Sequence, residues 1–252
     1  MIKTFFVDSG KGGTGKTLLC HLLVDFYLNH QESGLSNEEY PLVLFDADLS
    51  HKDFSTYPIR MNNGKLIPCY LVDLSLIEGW QFIERKVNRF LKNDQQARAI
   101  VNCPNHFLSL LQNTDPHEIG ALMSRIHTLP LWIMNNSPAN IDQLQLRQRL
   151  LPKIYQHGIA ILNLHHSRSS EFYSWHCSLL REHSVKEDAW IETTLPALNR
   201  VLSRTFTGMP INQWLEYGFN GEGLSFGYQL ALKTFRYETR QRLLPIESLS
   251  IV

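Results

Sequence analysis

The sequence has no excess of charge of either sign, because 24 lysine and arginine residues balance 24 aspartate and glutamate residues. A general attraction of the whole molecule to nucleic acid or to an acidic membrane is therefore excluded, and such binding requires a local patch. The chain also lacks an apolar run of about 18 residues, the length that a membrane-spanning helix needs. We therefore expect no transmembrane helix.

Cysteine is scarce and scattered, and no CxxC pair occurs. The four cysteines are Cys20, Cys69, Cys103 and Cys177. This spacing argues against a zinc site and against a disulfide framework, and it favours a cytoplasmic location. The apolar run near the amino terminus is short and has no small-residue cleavage site, so it predicts a first strand rather than a signal peptide.

Short apolar runs alternate with segments of helical periodicity along the chain. The runs predict strands at 4–8, 42–46, 99–103, 131–134 and 159–163. Helices are predicted at 18–28 and at 223–244, the second ending before Pro245. The polar stretch 29–41 predicts a loop, and 50–98 predicts a strand followed by a helix. We therefore expect a single α/β domain, residues 1–252, with a mostly parallel twisted sheet and helices on both faces.

The glycine-rich turn after the first predicted strand matches the phosphate-loop pattern GxxxxGK[ST]. Its backbone N–H groups surround phosphate oxygens, its lysine reaches the β and γ phosphates, and its threonine binds Mg²⁺. The helix that follows directs its positive dipole end at the same anion. The predicted ATP-binding residues are Gly10, Lys11, Gly12, Gly13, Thr14, Gly15, Lys16, Thr17 and Leu18.

A second lysine, Lys11, directly follows the first glycine of the loop. The segment KGGTGKT resembles the deviant Walker A loop of the ParA/MinD family of ATPases. The resemblance implies that Lys11 reaches the phosphates held by a second subunit, so that ATP closes a homodimer in the way that an arginine finger acts in trans. A solvated loop lysine is the alternative.

The segment LVLFDADLSHKDFS resembles the second strand and switch I of the same family. The resemblance places Asp46 near Mg²⁺ and makes Asp48 the residue that positions the attacking water, although both carboxylates could instead be structural caps. In the family an aspartate ends the next core strand, whereas Asn102 stands there in this chain. An amide still accepts a hydrogen bond from a metal-bound water but carries no charge, which predicts slow hydrolysis. Catalytic roles are thus expected for Lys11, Lys16 and Asp48, and metal-binding roles for Thr17, Asp46 and Asn102.

Two later segments resemble the family's adenine-binding region. Asn163 ends a strand where relatives have an asparagine that contacts adenine, with a strand-end cap as the alternative. Pro196, followed by Ala197 and Leu198, occupies the place where the family's backbone packs beside the base.

Basic residues recur on one predicted face near the carboxyl terminus. They are Arg200, Arg204, Lys233, Arg236 and Arg240. Their spacing of three and four residues places them on one helical face, which predicts either a site for non-specific DNA or an ordinary solvated face. The tail RLLPIESLSIV is a poor membrane anchor because Pro245 and Glu247 interrupt its apolar face.

The resemblance implies an ATP-driven switch that dimerises and works with a protein activator or adaptor in plasmid segregation, positioning or conjugative transfer. Two alternatives stay open: an ATP-dependent scaffold with little hydrolysis, and a small-molecule kinase or synthetase that uses the same loop. A membrane-associated, MinD-like positioning role is a further alternative.

Overall fold

A computed structural model describes residues 3–29, 41–61, 64–93, 97–186, 189–205, 210–217 and 223–248. Most of the predicted loop 29–41 and the end of the chain beyond 248 lie outside these ranges. The strands are β1 (Lys3–Asp8), β2 (Leu42–Asp46), β3 (Cys69–Leu71), β4 (Arg98–Asn102), β5 (Thr128–Met134), β6 (Gly158–Asn163) and β7 (Trp190–Leu195).

Helices connect these strands in an alternating order. They are α1 (Lys16–Leu28), α2 (Ile77–Asn93), α3 (Phe107–Gln112), α4 (Pro116–Arg125), α5 (Ala139–Leu150), α6 (Pro152–Tyr155), α7 (Tyr173–His176), α8 (Leu179–Lys186), α9 (Arg200–Thr205), α10 (Ile211–Tyr217) and α11 (Phe226–Ser248). None of the helices among the described residues combines the length and the apolar character that crossing a membrane requires.

The seven strands form one parallel sheet in the order β3-β2-β4-β1-β5-β6-β7. Buried strands of this kind need cover on both faces, and two separate apolar clusters, one on each face, provide it. This confirms the predicted α/β class. Because the chain reverses its direction of winding at β1, the carboxyl end of β1 lies at the switch point where such sheets bind ligands.

The final helix differs from its prediction. It was expected to end before Pro245, but α11 continues to Ser248 with Pro245 inside it. Ile246 is fully buried and anchors the last turn, and the hydroxyl of Thr193 donates to the carbonyl of Arg242 at 2.9 Å. Burial and side-chain hydrogen bonding thus outweigh the helix-breaking tendency of proline.

Candidate functional site: a phosphate loop at the switch point of the sheet

The loop between β1 and α1 contains two glycines in the left-handed conformation. Gly13 has φ 72° and Gly15 has φ 102°. A Cβ on Gly15 would lie 2.7 Å from the amide nitrogen of Asn163, so a larger residue would clash as well as strain the backbone. Because α1 begins at Lys16, its free N–H groups and its dipole face this loop. The backbone therefore has the shape of an anion-binding loop.

The loop forms one wall of a cleft of about 570 Å³, within the size range of small-molecule sites. The cleft is lined by Gly12, Gly13, Gly15, Lys16, Thr17, Leu18, Asp48, His51, Asp53 and Asn105. It brings the predicted Lys16, Thr17 and Asp48 together. Asp46, Asn102, Asn163 and Pro196 lie outside this lining, and their predicted contacts with metal or adenine stay predictions.

The two lysines of the loop have different surroundings. Lys16 is 6% exposed, and its Nζ donates to Ser9 Oγ at 3.3 Å and to Asn105 Oδ1 at 2.5 Å. Burial lowers the pKa of Lys16, while the carboxylate of Asp8 opposes that shift. Lys11, by contrast, is exposed. A buried ammonium gains most from an anion in the cleft, whereas an exposed one can reach beyond its own subunit.

Asn105 was missed by the sequence analysis. Its amide oxygen accepts a hydrogen bond from Lys16 Nζ, and its side chain would lie 3.3 Å from a Cβ on Gly12. Asn105 directly follows Cys103 and Pro104, the first two residues after β4. That position, directly after a predicted strand, was the signal in the sequence that could have identified Asn105 as a site residue. The hydrogen bond from Lys16 to Asn105 connects the phosphate loop to the segment leading into α3.

Asp46 ends β2 and lies outside the lining of the cleft, in a network of hydrogen bonds. It is fully buried; one carboxylate oxygen accepts from the Ser55 backbone and hydroxyl at 3.0 and 2.9 Å, and the other from Asn102 Nδ2 at 3.0 Å. Burial raises the pKa of Asp46, and the hydrogen bond from Asn102 opposes this. Asp48 is nearer the cleft, where its Oδ1 accepts from the hydroxyl of Ser50 at 2.6 Å.

The donor set fits a magnesium ion that arrives with nucleotide. Among the described residues no three His, Cys, Asp or Glu side chains group into a metal site. Mg²⁺ commonly takes one or two protein oxygens and completes its shell with phosphates and water. Within the part of the chain that the structure describes, the buried Asn102 Oδ1 accepts no hydrogen bond. An uncharged acceptor of this kind suits a metal-bound water, and Thr17 offers a hydroxyl in the cleft.

Comparisons with known proteins bear on the fold. No protein-family model matches the chain, and no curated protein matches it in sequence. Among solved structures, MinD cell division protein from Aquifex aeolicus is 15% identical, with 99% of this chain and 98% of that chain covered and a TM-score of 0.52. This chain has the MinD fold.

Two further solved structures are less similar. An ATP complex of a Cyanothece McdA variant is 12% identical over 94% of this chain and 95% of that one, with a TM-score of 0.43. Cobyrinic acid a,c-diamide synthase from Mycobacterium smegmatis with ADP and magnesium is 15% identical over 82% and 89%, with a TM-score of 0.42. Of the three, the MinD structure is the one similar enough to support the fold assignment.

In this MinD fold, the side chain of Asn163 is hydrogen-bonded to the backbone of the phosphate loop. Its Nδ2 donates to the carbonyl of Thr14 at 2.7 Å, and its Oδ1 accepts from the backbone of His165 at 3.0 Å. The His165 ring is hydrogen-bonded to the carbonyl of Leu198 at 3.1 Å. The loop that contains Pro196 is thereby tied to the phosphate loop. The ring of the neighbouring His166 is hydrogen-bonded to the backbone of Gly13.

A buried ion pair that the sequence analysis did not predict lies directly before the loop, at the end of β1. Asp8 and Arg147 are each 1% exposed, and their Oδ2 and Nε are 2.9 Å apart. The Tyr155 hydroxyl donates to the same oxygen at 2.8 Å, and the backbone of Ser9 donates to the other at 2.7 Å. Helices α5 and α6 therefore hold the residue from which the phosphate loop departs.

The structure corrects the basic strip predicted for DNA. Arg236 Nε is 2.7 Å and Arg240 Nε is 3.5 Å from Asp25 Oδ2, and both arginines are less than one-fifth exposed. They join α11 to α1 instead of lining a solvated face. The remaining members, Arg200, Arg204 and Lys233, are exposed.

His21 connects the helix of the phosphate loop to switch I and makes stability depend on pH. It is fully buried, its ring lies edge-on to Phe54 at 5.0 Å, and burial lowers its pKa to about 3. Between about pH 3 and 6.5 the unfolded chain binds a proton that the native state does not. We therefore expect the free energy of unfolding to fall by about 1.4 kcal/mol per pH unit below about 6.5.

Urea unfolding from about pH 7 down to about pH 4.5 measures this slope. In His21→Leu the slope should be smaller by that amount, whereas His183→Leu, at an exposed position, should keep it. Equal slopes in all three proteins would disprove the assignment.

Proposed function

We propose that the protein is an ATP-dependent dimerising switch of the ParA/MinD type, with slow hydrolysis. The observation that carries the proposal is the difference between the two lysines of the loop: Lys16 is buried and lines the cleft, whereas Lys11 is exposed and lies outside the lining. The MinD fold supports it. Two bound triphosphates repel each other across a dimer unless each subunit supplies a cation to the other, and the proposal assigns that role to the exposed Lys11.

ATP binding starts with an exchange of hydrogen-bond partners at Lys16 Nζ. The γ and β phosphates take the Nζ of Lys16 from Asn105, and the freed Asn105 lets the segment before α3 change its position. Thr17 would hold Mg²⁺ and Asn102 would accept a hydrogen bond from a water on that ion, which when bound would supply positive charge that stabilises the phosphates. Asp48 then orients water for in-line attack on the γ phosphate.

Asn102 favours a second candidate, an ATP-dependent scaffold that barely hydrolyses. A carboxylate at this place would strengthen the hold on the metal and its bound water, and so help to stabilise the charge that develops during phosphoryl transfer. A neutral amide does this less well. In Asn102→Asp we expect faster release of phosphate. Unchanged turnover would show that Asn102 is not the cause of slow hydrolysis.

The proposed cargo is a plasmid or another large assembly, reached through non-specific DNA and a protein adaptor, and the proposed location is the cytoplasm. Arg200, Arg204 and Lys233 are the exposed members of the predicted basic strip. If all three bind phosphates, log affinity should fall with log salt at a slope of about −3. Neutralising all three should then abolish most of that slope.

The test measures molar mass by light scattering, and binding to random-sequence duplex DNA, without nucleotide, with ADP and with ATP. ATP alone should double the mass relative to nucleotide-free protein, and Lys11→Ala should not respond. Lys52→Ala, which removes an exposed cation outside the cleft lining, is the matched control. If ATP binds but changes neither mass nor DNA affinity, the switch is refuted; phosphate release that requires an added metabolite would indicate a small-molecule enzyme.

A further inference from the structure

The outward face of α11 carries a stripe whose apolar members the proposed function does not use. The outer stripe consists of Phe226, Leu230, Lys233 and Tyr237. Phe226 is 82%, Leu230 55% and Tyr237 65% exposed, and Lys233 is exposed as well. The spacings of four, three and four residues place them on one narrow line along the helix, the spacing of a coiled-coil seam.

The opposite face of α11 is firmly attached to the domain. Leu232, Phe235, Leu243 and Ile246 are buried in the apolar cluster on that side of the sheet. The ion pairs of Arg236 and Arg240 with Asp25 hold the flank of the helix on α1. The helix therefore cannot rotate to bury its outer stripe, which leaves the stripe available to a partner.

We propose that the outer stripe joins two copies of this chain in an antiparallel helix pair that needs no nucleotide. Aromatic side chains offer about 150–250 Å² each, so the three apolar members expose about 400 Å² together. A stable interface buries about 800 Å² on each partner, of which a little over half is apolar. The stripe supplies about the apolar area that one side of such an interface requires.

The order of residues along the stripe is self-complementary, as a two-fold contact demands. An axis midway along the stripe pairs Phe226 with the partner's Tyr237, and Leu230 with the partner's Lys233. The first pairing places aromatic rings together at each end of the contact. In the second, the aliphatic stem of lysine covers leucine while its ammonium stays in water.

This interface is separate from the one proposed for ATP, because none of its residues lines the cleft. A protein with two different two-fold interfaces associates further when both are used. Nucleotide-free protein should be a dimer through α11, and ATP should join such dimers.

Light scattering of the full chain without nucleotide tests the proposal. The unmodified protein should have the mass of a dimer, and Phe226→Ser/Tyr237→Ser should have half that mass. Tyr173→Ser/Leu179→Ser removes equally exposed apolar side chains elsewhere, 69% and 70% exposed, and should remain dimeric. Circular dichroism checks that each variant is folded. A monomeric unmodified protein, or a dimer that survives Phe226→Ser/Tyr237→Ser, would overturn the proposal.

Cross-linking tests the register in a Cys177→Ser background, since Cys177 is exposed. Phe226→Cys mixed with Tyr237→Cys should form disulfide-linked heterodimers under mild oxidation, whereas each variant alone has its two thiols at opposite ends of the contact and should not. A monomer whose outer stripe instead binds duplex DNA or phosphatidylglycerol vesicles would assign the stripe to that ligand and refute the dimer. All of these measurements omit ATP, so they are independent of the switch.

Discussion

Replacing Lys16 with methionine should weaken ATP binding by about 10- to 100-fold, the loss expected for a charge-assisted contact. Turnover should fall by a further factor of about 100 to 1,000, because the ammonium stabilises charge that grows in the transition state. Methionine keeps most of the apolar stem and removes the charge. Isothermal titration with ATP and steady-state release of phosphate measure the two effects separately.

The stability of the nucleotide-free protein distinguishes ligand binding from a structural role of Lys16. Because burial lowers the pKa of Lys16, its charge is not favoured by the empty cleft. Lys16→Met should therefore unfold at the same or a higher urea concentration than the unmodified protein. Lys52→Met, which neutralises an exposed lysine of switch I, should leave both ATP affinity and turnover unchanged. Unaltered ATP affinity in Lys16→Met would remove the phosphate loop from the proposed function.

Local signals in the sequence were enough to predict the sheet and the loop. The apolar runs at 42–46 and 159–163 are buried strands at those places, and the loop between β1 and α1 has the two left-handed glycines that its pattern requires. A loop of this type is encoded by neighbouring residues, since the turn, the glycines and the start of the helix are contiguous. That contiguity made the prediction possible.

Contacts between distant parts of the chain could not be predicted from the sequence. Arg236 and Arg240 have the spacing of a solvated basic face, but their partner, Asp25, is more than 200 residues away on α1. Asn105 and Lys16 are likewise 89 residues apart. Periodicity shows which residues share a face of a helix, but it does not show what packs on that face. One lone aspartate at the end of a strand contains no information about the arginine that will neutralise it.

Arg147 provides the largest expected effect on stability. In Arg147→Met the carboxylate of Asp8 remains buried with hydrogen bonds from Tyr155 and Ser9 but without a compensating charge. Removing one partner of a buried pair costs about 3–5 kcal/mol, a large share of the about 5–15 kcal/mol that stabilises a typical domain. The midpoint of urea unfolding should fall accordingly at an unchanged slope. Arg149→Met, at an exposed position of the same helix, should change it little.

A second substitution, Asp8→Asn, tests whether the unpaired charge of Asp8 causes the loss of stability in Arg147→Met. Adding it to Arg147→Met removes the stranded carboxylate, and the asparagine oxygen can still accept from the Tyr155 hydroxyl. We expect the double variant to be more stable than Arg147→Met, with a coupling free energy of about 2 kcal/mol or more between the two positions. If the two losses instead add, the damage comes from the packing of Arg147 against Trp132, whose ring is 5.2 Å from the guanidinium. Because Asp8 precedes the phosphate loop, recovered stability should be accompanied by recovered ATP binding, which the same titration measures.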